Sequence, residues 1–371
     1  MFNKILRIYL KRAELHPLKT HKKKTAFAEN VAILRKRKLY KEIKWSTEQK
    51  EEFNSFCKSV YGKRISPRWH KLYQSINGTF DVSYVPEKIF STIIELNAND
   101  YSRCKVLQDK NLLPYLLSSK AKTPATLVFN SYGKYYNEKG EIISKKEAIA
   151  LISNCGMAVL KPSIDSSSGK NILFLDLEDG VDKNSGAFIE AIFNKYDKNF
   201  ILQKKLIQCK ESNDIYPEAI NTFRITTYVL DDGIYTLPCA MRFGSGGNHL
   251  DNIHAGGFSI AISDDGVLGR YAYKLGRCDR KDKIQVHPDT GLVFDGYRIP
   301  NFNKVLQTAK DAHSCFSGVG FISWDIILNA EYEPVIVEAN ILGQSSWIPQ
   351  VLHGKGLFGN NLKKVIEHYY N

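Results

Sequence analysis

A chain of 371 residues, 43% of them hydrophobic, is longer than one typical domain and can bury a sizeable core. Its seven cysteines are odd in number and form no Cys-x-x-Cys pair, which argues against a disulfide scaffold and a zinc site and points to a reducing compartment. The net charge of +13 is concentrated at one end: Met1 to Lys44 carries 14 Lys/Arg against 3 Asp/Glu, leaving 38 against 36 for Trp45 to Asn371.

The first 58 residues read as a basic helical extension. Phe2, Ile5, Leu6, Tyr9 and Leu10 can share one helical face, and the clusters His21-Lys22-Lys23-Lys24 and Arg35-Lys36-Arg37-Lys38 follow. Two readings stand. An amphipathic stretch with a polybasic cluster suits peripheral contact with an anionic membrane through residues 1–44. A solvated basic helical hairpin packed on its own domain fits equally. Nucleic acid ranks last and is not expected as a partner, since no nucleic-acid motif accompanies the charge. No stretch is apolar and long enough to span a bilayer, and the first ten residues lack a signal-type core, so the expected location is the cytoplasm, including the inner face of the membrane.

A short mixed region is expected from Ile65 to Asn97, then Asp109-Lys110-Asn111 and a helix over Leu112–Leu117. Strand-like runs at Thr126–Phe129 and Met157–Leu160 flank a helix over Lys145–Asn154, which suits a small α+β lid. The run Ala158 to Pro162 ends on Lys161, and a Ser/Gly-rich loop, Ser163 to Lys170, follows. A lysine at a strand end is a point charge for phosphate, and such a loop brings backbone N–H groups to phosphate oxygens, although the spacing is not that of a P-loop. Phe200–Leu206 reads as a strand entering a polar crossover, and Asn221–Val229 as an alternating strand carrying Arg224 among apolar neighbours. Arg242 and the run Asn252-Ile253-His254-Ala255-Gly256-Gly257 offer a cation and close-approaching backbone that can hold a carboxylate. His254 reads more readily as a satisfied, partly buried histidine, and His287-Pro288-Asp289-Thr290-Gly291 as a turn.

Helices are expected over Phe302–Phe316 and Gly359–Tyr370. Between them, Ser323–Leu328 and Pro334–Asn340 read as strands joined across Asn329–Glu333. Side chains alternate along a strand, so Glu338 and Asn340 share a face, and centring the hairpin sets Asp325 opposite Glu338. Three converging oxygen side chains suit Mg²⁺. The bland alternative is a hairpin whose polar residues face solvent.

In this order, from lysine strand and glycine loop through hinge strand, arginine strand, Asp strand and Glu-x-Asn strand, the chain resembles the ATP-grasp superfamily. More narrowly it is similar to the sugar-transfer-associated ATP-grasp proteins predicted to act in bacterial surface polysaccharide biosynthesis. The likeness covers about residues 60–371 and includes Tyr84-Val85-Pro86-Glu87, Asp109-Lys110-Asn111, Asn221-Thr222-Phe223-Arg224, His254-Ala255-Gly256-Gly257, His287-Pro288-Asp289-Thr290-Gly291, Trp324-Asp325 and Glu338-Ala339-Asn340. The resemblance implies an α+β fold in which two subdomains clamp ATP: a region preceding the ATP-grasp at 59–119, a lid at 120–205, and a metal and substrate subdomain at 206–371. It implies that Lys110 and Lys161 contact ATP phosphates under a Ser166-Ser167-Ser168-Gly169 loop, and that Gln203, Lys204 and Leu206 read adenine. Asp325, Glu338 and Asn340 would hold Mg²⁺, and Arg224 would stabilise the transferring phosphoryl group; Arg242, on its own chemistry and position, would shape the acceptor site. Cys209 stands where a ribose-contacting histidine is expected, with Glu211 as the substitute.

The implied activity is that of an ATP-dependent carboxylate-amine ligase. It would join an amino acid or other amine to a carboxylate-bearing sugar of capsule or O-antigen through an acyl phosphate. Such chemistry rests on positioning and cationic neutralisation, which agrees with the lack of a nucleophile-elbow motif. The alternatives are an ATP-grasp kinase acting on a hydroxyl and a non-catalytic nucleotide- or membrane-binding module.

Overall fold

Runs rich in β-branched and aromatic residues, and buried along most or all of their length, make Thr222–Leu230 and Phe321–Leu328 neighbouring interior strands of the larger of two antiparallel sheets. The computed structural model describes residues 17–164, 171–249, 251, 256–274 and 283–370. Its smaller sheet contains β1 (Thr126–Ser131), β2 (Lys134–Asn137), β3 (Ile142–Ile143), β4 (Gly156–Pro162), β5 (Leu173–Glu178), β6 (Val181–Asp182) and β7 (Phe200–Lys204), in the order β3-β2-β1-β7-β4-β5-β6. Val128, Ala158, Leu160 and Leu202 face one side and pack against Ala148 and Ile152 of helix Lys145–Ile152 and Ile189 and Phe193 of helix Ile189–Tyr196.

The larger sheet contains β8 (Thr222–Leu230), β9 (Gly233–Thr236), β10 (Cys239–Phe243), β11 (Phe258–Ile262), β12 (Leu268–Tyr273), β13 (Lys283–Ile284), β14 (Phe321–Leu328) and β15 (Pro334–Asn340). The order is β13-β12-β11-β10-β8-β14-β15, with β9 paired to β8. Phe223, Ile225, Met241, Trp324 and Ile326 form its apolar face and pack on Phe302, Val305 and Ala309 of helix Phe302–His313. The opposite face keeps the charged residues, which is why they converge.

Three helices open the described chain: α1 (Pro17–Arg35), α2 (Arg37–Glu42) and α3 (Thr47–Tyr61). A reciprocal capping box between Ser46 and Gln49 starts α3, and Gly62 ends it in the left-handed region. These helices have no core of their own. Trp45, Phe53, Cys57 and Tyr61 share a cluster with Tyr228, Phe321 and Leu362, while Ile33 and Tyr40 join Leu72, Tyr73, Tyr84 and Val351. Among the described residues, no helix is long and apolar enough to cross a membrane. The first-ten-residue face proposed for membrane contact lies outside the described residues.

The expected mixed region at 65–97 is instead helical: α4 (Arg68–Asn77), then α5, made of Glu87–Ile89, a π-helical turn Phe90–Ile94 and Glu95–Ala98. Trp69, Leu72, Tyr73 and Ile76 fall at helical spacing and are all buried. The helix expected to reach Phe316 stops at His313.

Candidate active site

The β14–β15 pair sets Asp325 directly opposite Glu338 and Ser323 opposite Asn340. Directly paired residues point to the same side, so both carboxylates and the amide share the polar face, as the hairpin geometry requires. A register shift follows Asp325, and beyond it Ile326 pairs with Ile336. On the other edge of β14, Asp325 pairs with Arg224 of β8, and Thr222, two residues before Arg224, pairs with Arg242 of β10. Four adjacent strands therefore deliver two acids and two guanidinium groups to one patch.

Asp325 is the hub. Its Oδ1 lies 2.8 Å from Arg224 Nε and 2.9 Å from an Arg242 terminal nitrogen, close ion pairs without hydrogen-bond alignment at that oxygen. A terminal Arg224 nitrogen donates to Oδ2 at 3.2 Å, and Asn340 Nδ2 approaches the same oxygen at 3.4 Å. Burial opposes ionisation of this carboxyl, but Arg224 and then Arg242 outweigh it and hold the group below the usual carboxylate range. Arg242 also donates to Thr222 Oγ1 at 2.7 and 3.1 Å and lies 3.7 Å from Asp251. Asp251 in turn accepts from the Thr222 hydroxyl and, at 3.2 Å, from its N–H. Gly257 permits this fold-back, since any Cβ there would strike the Asp251 and Phe243 carbonyls. Nothing in the sequence pattern singled out Asp251; it sits in a long connection with no periodicity.

Two lysines bring cations to the same patch, one from the smaller sheet and one from a turn beside it. Lys110 Nζ lies 3.0 Å from Glu338 Oε1, while the Lys110 N–H donates to Ser163 O at 3.0 Å and Asn111 Nδ2 to Asn130 O at 3.0 Å. Lys110 is thus tied to the smaller sheet and reaches the larger one. Lys161, near the end of β4, is buried and lowered to about 8, first by desolvation; Glu338 and Asp325 act to raise it and Lys110 to lower it, placing all four charges in one field. Ser166, Ser167, Ser168 and Gly169 lie outside the described residues, as does His254.

The hinge residues differ from one another. β7 is flanked by β1 and β4, so Gln203 is laddered on both sides and its amide donates to Pro124 O at 3.2 Å, while the Lys204 N–H is taken by Ala125 O. Among the described residues Leu206 has no backbone partner. Cys209 is buried with its thiol on Ser212, whereas Glu211 Oε2 is buried without a hydrogen-bond partner. His287 is a turn residue: its Nδ1 accepts from the N–H groups of Asp289 and Thr290 at 3.2 and 3.4 Å, and Nε2–H donates to Gly244 O at 3.0 Å.

Among the described residues, no three His, Cys, Asp or Glu side chains come together as a metal cage. Two opposed carboxylates and an amide still fit an ion such as Mg²⁺, which takes few protein oxygens and completes its shell with phosphate and water.

Two buried acids hold the segment after Asn340. Glu87 accepts from Ser346 N–H and hydroxyl at 2.9 and 2.6 Å and from Trp347 N–H at 2.8 Å; Glu95 accepts from Gln344 N–H at 2.9 Å. The extra residue in the π-turn makes a spacing of eight behave as one of seven, so both acids share a face of α5. Asn99 completes the brace, bonding Gly320, Phe321 and Ile341 backbone groups.

Residues 90–367 match the family model described as sugar-transfer associated ATP-grasp. Among solved structures, the chain is similar to an L-amino acid ligase from Bacillus licheniformis, with 12% identity over 70% of this chain and 46% of that one and a TM-score of 0.38. It is similar also to an N5-carboxyaminoimidazole synthetase from Staphylococcus aureus complexed with ADP, with 10% identity, 67% and 48% coverage and a TM-score of 0.39. A third is the VanG D-Ala:D-Ser ligase from Enterococcus faecalis, with 12% identity, 70% and 60% coverage and a TM-score of 0.37. The chain spans less than two thirds of the length of each. No curated protein matches the sequence.

Proposed function

The chain belongs to the sugar-transfer associated ATP-grasp family, and we propose that it is an ATP-dependent carboxylate-amine ligase. The observation that carries this reading is the meeting of Lys161 of the smaller sheet, and of Lys110 tied to its edge, with Asp325, Glu338, Arg224 and Arg242 of the larger one. Triphosphate between the sheets would face lysines on one side and, on the other, oxygens suited to Mg²⁺, held by Asp325, Glu338 and Asn340. The ion would neutralise phosphate charge when bound.

Each residue then has a task. Lys110 and Lys161 orient the phosphates, the backbone around Leu206 receives adenine, and Glu211 Oε2 accepts from a ribose hydroxyl. Arg224, fixed by Asp325, faces charge that builds on the transferring phosphoryl group. Arg242, held by Thr222, Asp251 and Asp325, positions the substrate carboxylate. Phosphorylation turns that carboxylate into an acyl phosphate; the amine attacks its carbonyl carbon, the carbon–oxygen bond to phosphate breaks, and an amide, ADP and phosphate result. Water must be excluded while the acyl phosphate persists.

We assign the substrates to an amino acid or similar amine and a uronic-acid or related sugar of a surface polysaccharide precursor, met in the cytoplasm. ADP release should require both a carboxylate and an amine. Release with a hydroxyl acceptor alone, yielding a stable phosphate ester, would replace this reading with a kinase.

A further inference from the structure

Helix α1 carries apolar residues on two faces: at 100° per residue Ile33 stands about 100° round the axis from Leu34 and about 120° from Phe27. Ile33 faces inward with Tyr40 of α2 into the cluster of Leu72, Tyr73 and Val351, with the His21 ring 4.5 Å from Tyr101 and Lys36 4.8 Å from the Trp347 ring, while Lys88 Nζ donates to Asn30 Oδ1 at 2.9 Å at the margin between this side and the outer one. A docked helix has no structural need for large apolar residues on its outer side. Yet Phe27 is 71% exposed and Leu34 53% exposed. They stand seven residues apart, two helical turns, and so lie on one stripe.

Lys23, Lys24 and Arg35 are exposed and fall within about a quarter turn of that stripe at 100° per residue. Residues 17–44 hold ten Lys/Arg against two Glu. We propose that this outward face of α1 docks on an anionic lipid bilayer, with Phe27 and Leu34 entering the apolar boundary and Lys23, Lys24 and Arg35 meeting the head groups. Charge complementarity with anionic lipid and two apolar anchors in the same stripe supply the pair of signals that reversible attachment needs. Nucleic acid would use the charges but leave Phe27 and Leu34 without a role. The surface is independent of the reaction assigned above and brings an ATP-consuming site to a membrane face.

The test is co-sedimentation of the full chain with vesicles of phosphatidylcholine plus phosphatidylglycerol, and with phosphatidylcholine alone, over a range of salt. Two variants accompany it: Phe27→Ser with Leu34→Ser, and Lys23→Glu with Lys24→Glu and Arg35→Glu. Both leave the docked side of α1 intact, so thermal stability and ADP release should match the unaltered chain. The expected result is binding to anionic vesicles only, weakened at least ~10-fold by the apolar pair and lost with the charge variant at physiological salt. No binding by the full chain, equal binding to neutral vesicles, or full binding by the Phe27/Leu34 variant overturns the proposal. So does tighter binding to duplex DNA that is indifferent to the apolar pair.

Discussion

At the residue scale, Glu338 and Lys161 separate ligand chemistry from stability. Glu338 pairs with Lys110, and its side chain is only partly buried, so Glu338→Gln should change stability by about 1 kcal/mol or less while abolishing Mg²⁺-dependent turnover. A melting curve beside an ADP-release assay checks both halves, and normal turnover would remove Glu338 from the metal set. Lys161, held at about 8 by burial, should lose its proton just above neutrality. Because the charged form binds phosphate, ATP affinity should fall above about pH 8 by up to ~10-fold per pH unit. In Lys161→Arg, whose cation cannot deprotonate, titration calorimetry should find that slope flattened. Arg224→Ala should lower kcat more than ATP affinity, since its contact strengthens as phosphoryl charge develops. An equal loss in both would make it a binding residue only.

At the scale of elements, legibility depended on period. The Asp325–Glu338 opposition could be read because strand alternation and a hairpin turn fix register, and neither depends on distant residues. Asp251, Glu87 and Glu95 could not, because their partners lie far along the chain and a buried acid has no local pattern. Tertiary packing also turned 65–97 helical, although the spacing of Trp69, Leu72, Tyr73 and Ile76 carried that signal. The two α5 acids yield a prediction. Desolvation raises Glu87 to about 7 and Glu95 to about 8. Both native values lie above the unfolded one, so the folded state binds more protons in between. Their stabilising contribution is complete below about pH 4.5 and is lost as pH rises through 7 and then 8. The unfolding free energy should therefore decline across this window, by about 1.4 kcal/mol per pH unit for each titrating group. Glu95→Gln should remove the upper part of that decline in denaturant titrations at several pH values. An unchanged profile would mean the Glu95 carboxyl is solvated, against its burial.

At the scale of the whole molecule, the Lys110–Glu338 ion pair and backbone bridges from Lys122 to Val335 and from Gln208 to Asn329 tie the segments flanking the smaller sheet to the larger one, and the N-terminal helices brace the latter. The uneven charge suggests that residues 1–44 are separable from the catalytic body, but the packing argues otherwise. Ile33 and Tyr40 are buried among Leu72, Tyr73, Tyr84 and Val351, and the helix containing Val351 begins at the segment held by Glu87. Removing residues 1–44 would uncover that cluster, and deletion of two large buried side chains typically costs several kcal/mol. The truncated chain should melt at a markedly lower temperature and lose ATP use on mild heating, while each residue assigned to ATP remains present. Removing only residues 1–16 leaves Ile33, Tyr40 and the Lys36–Trp347 contact in place, so that shorter deletion should retain both fold and ATP use. Comparing the two truncations by calorimetry and ADP release decides the matter. Equal melting of the 1–44 deletion and the full chain would make the helices a detachable basic arm, and the core drawn here around Tyr73 would not need them.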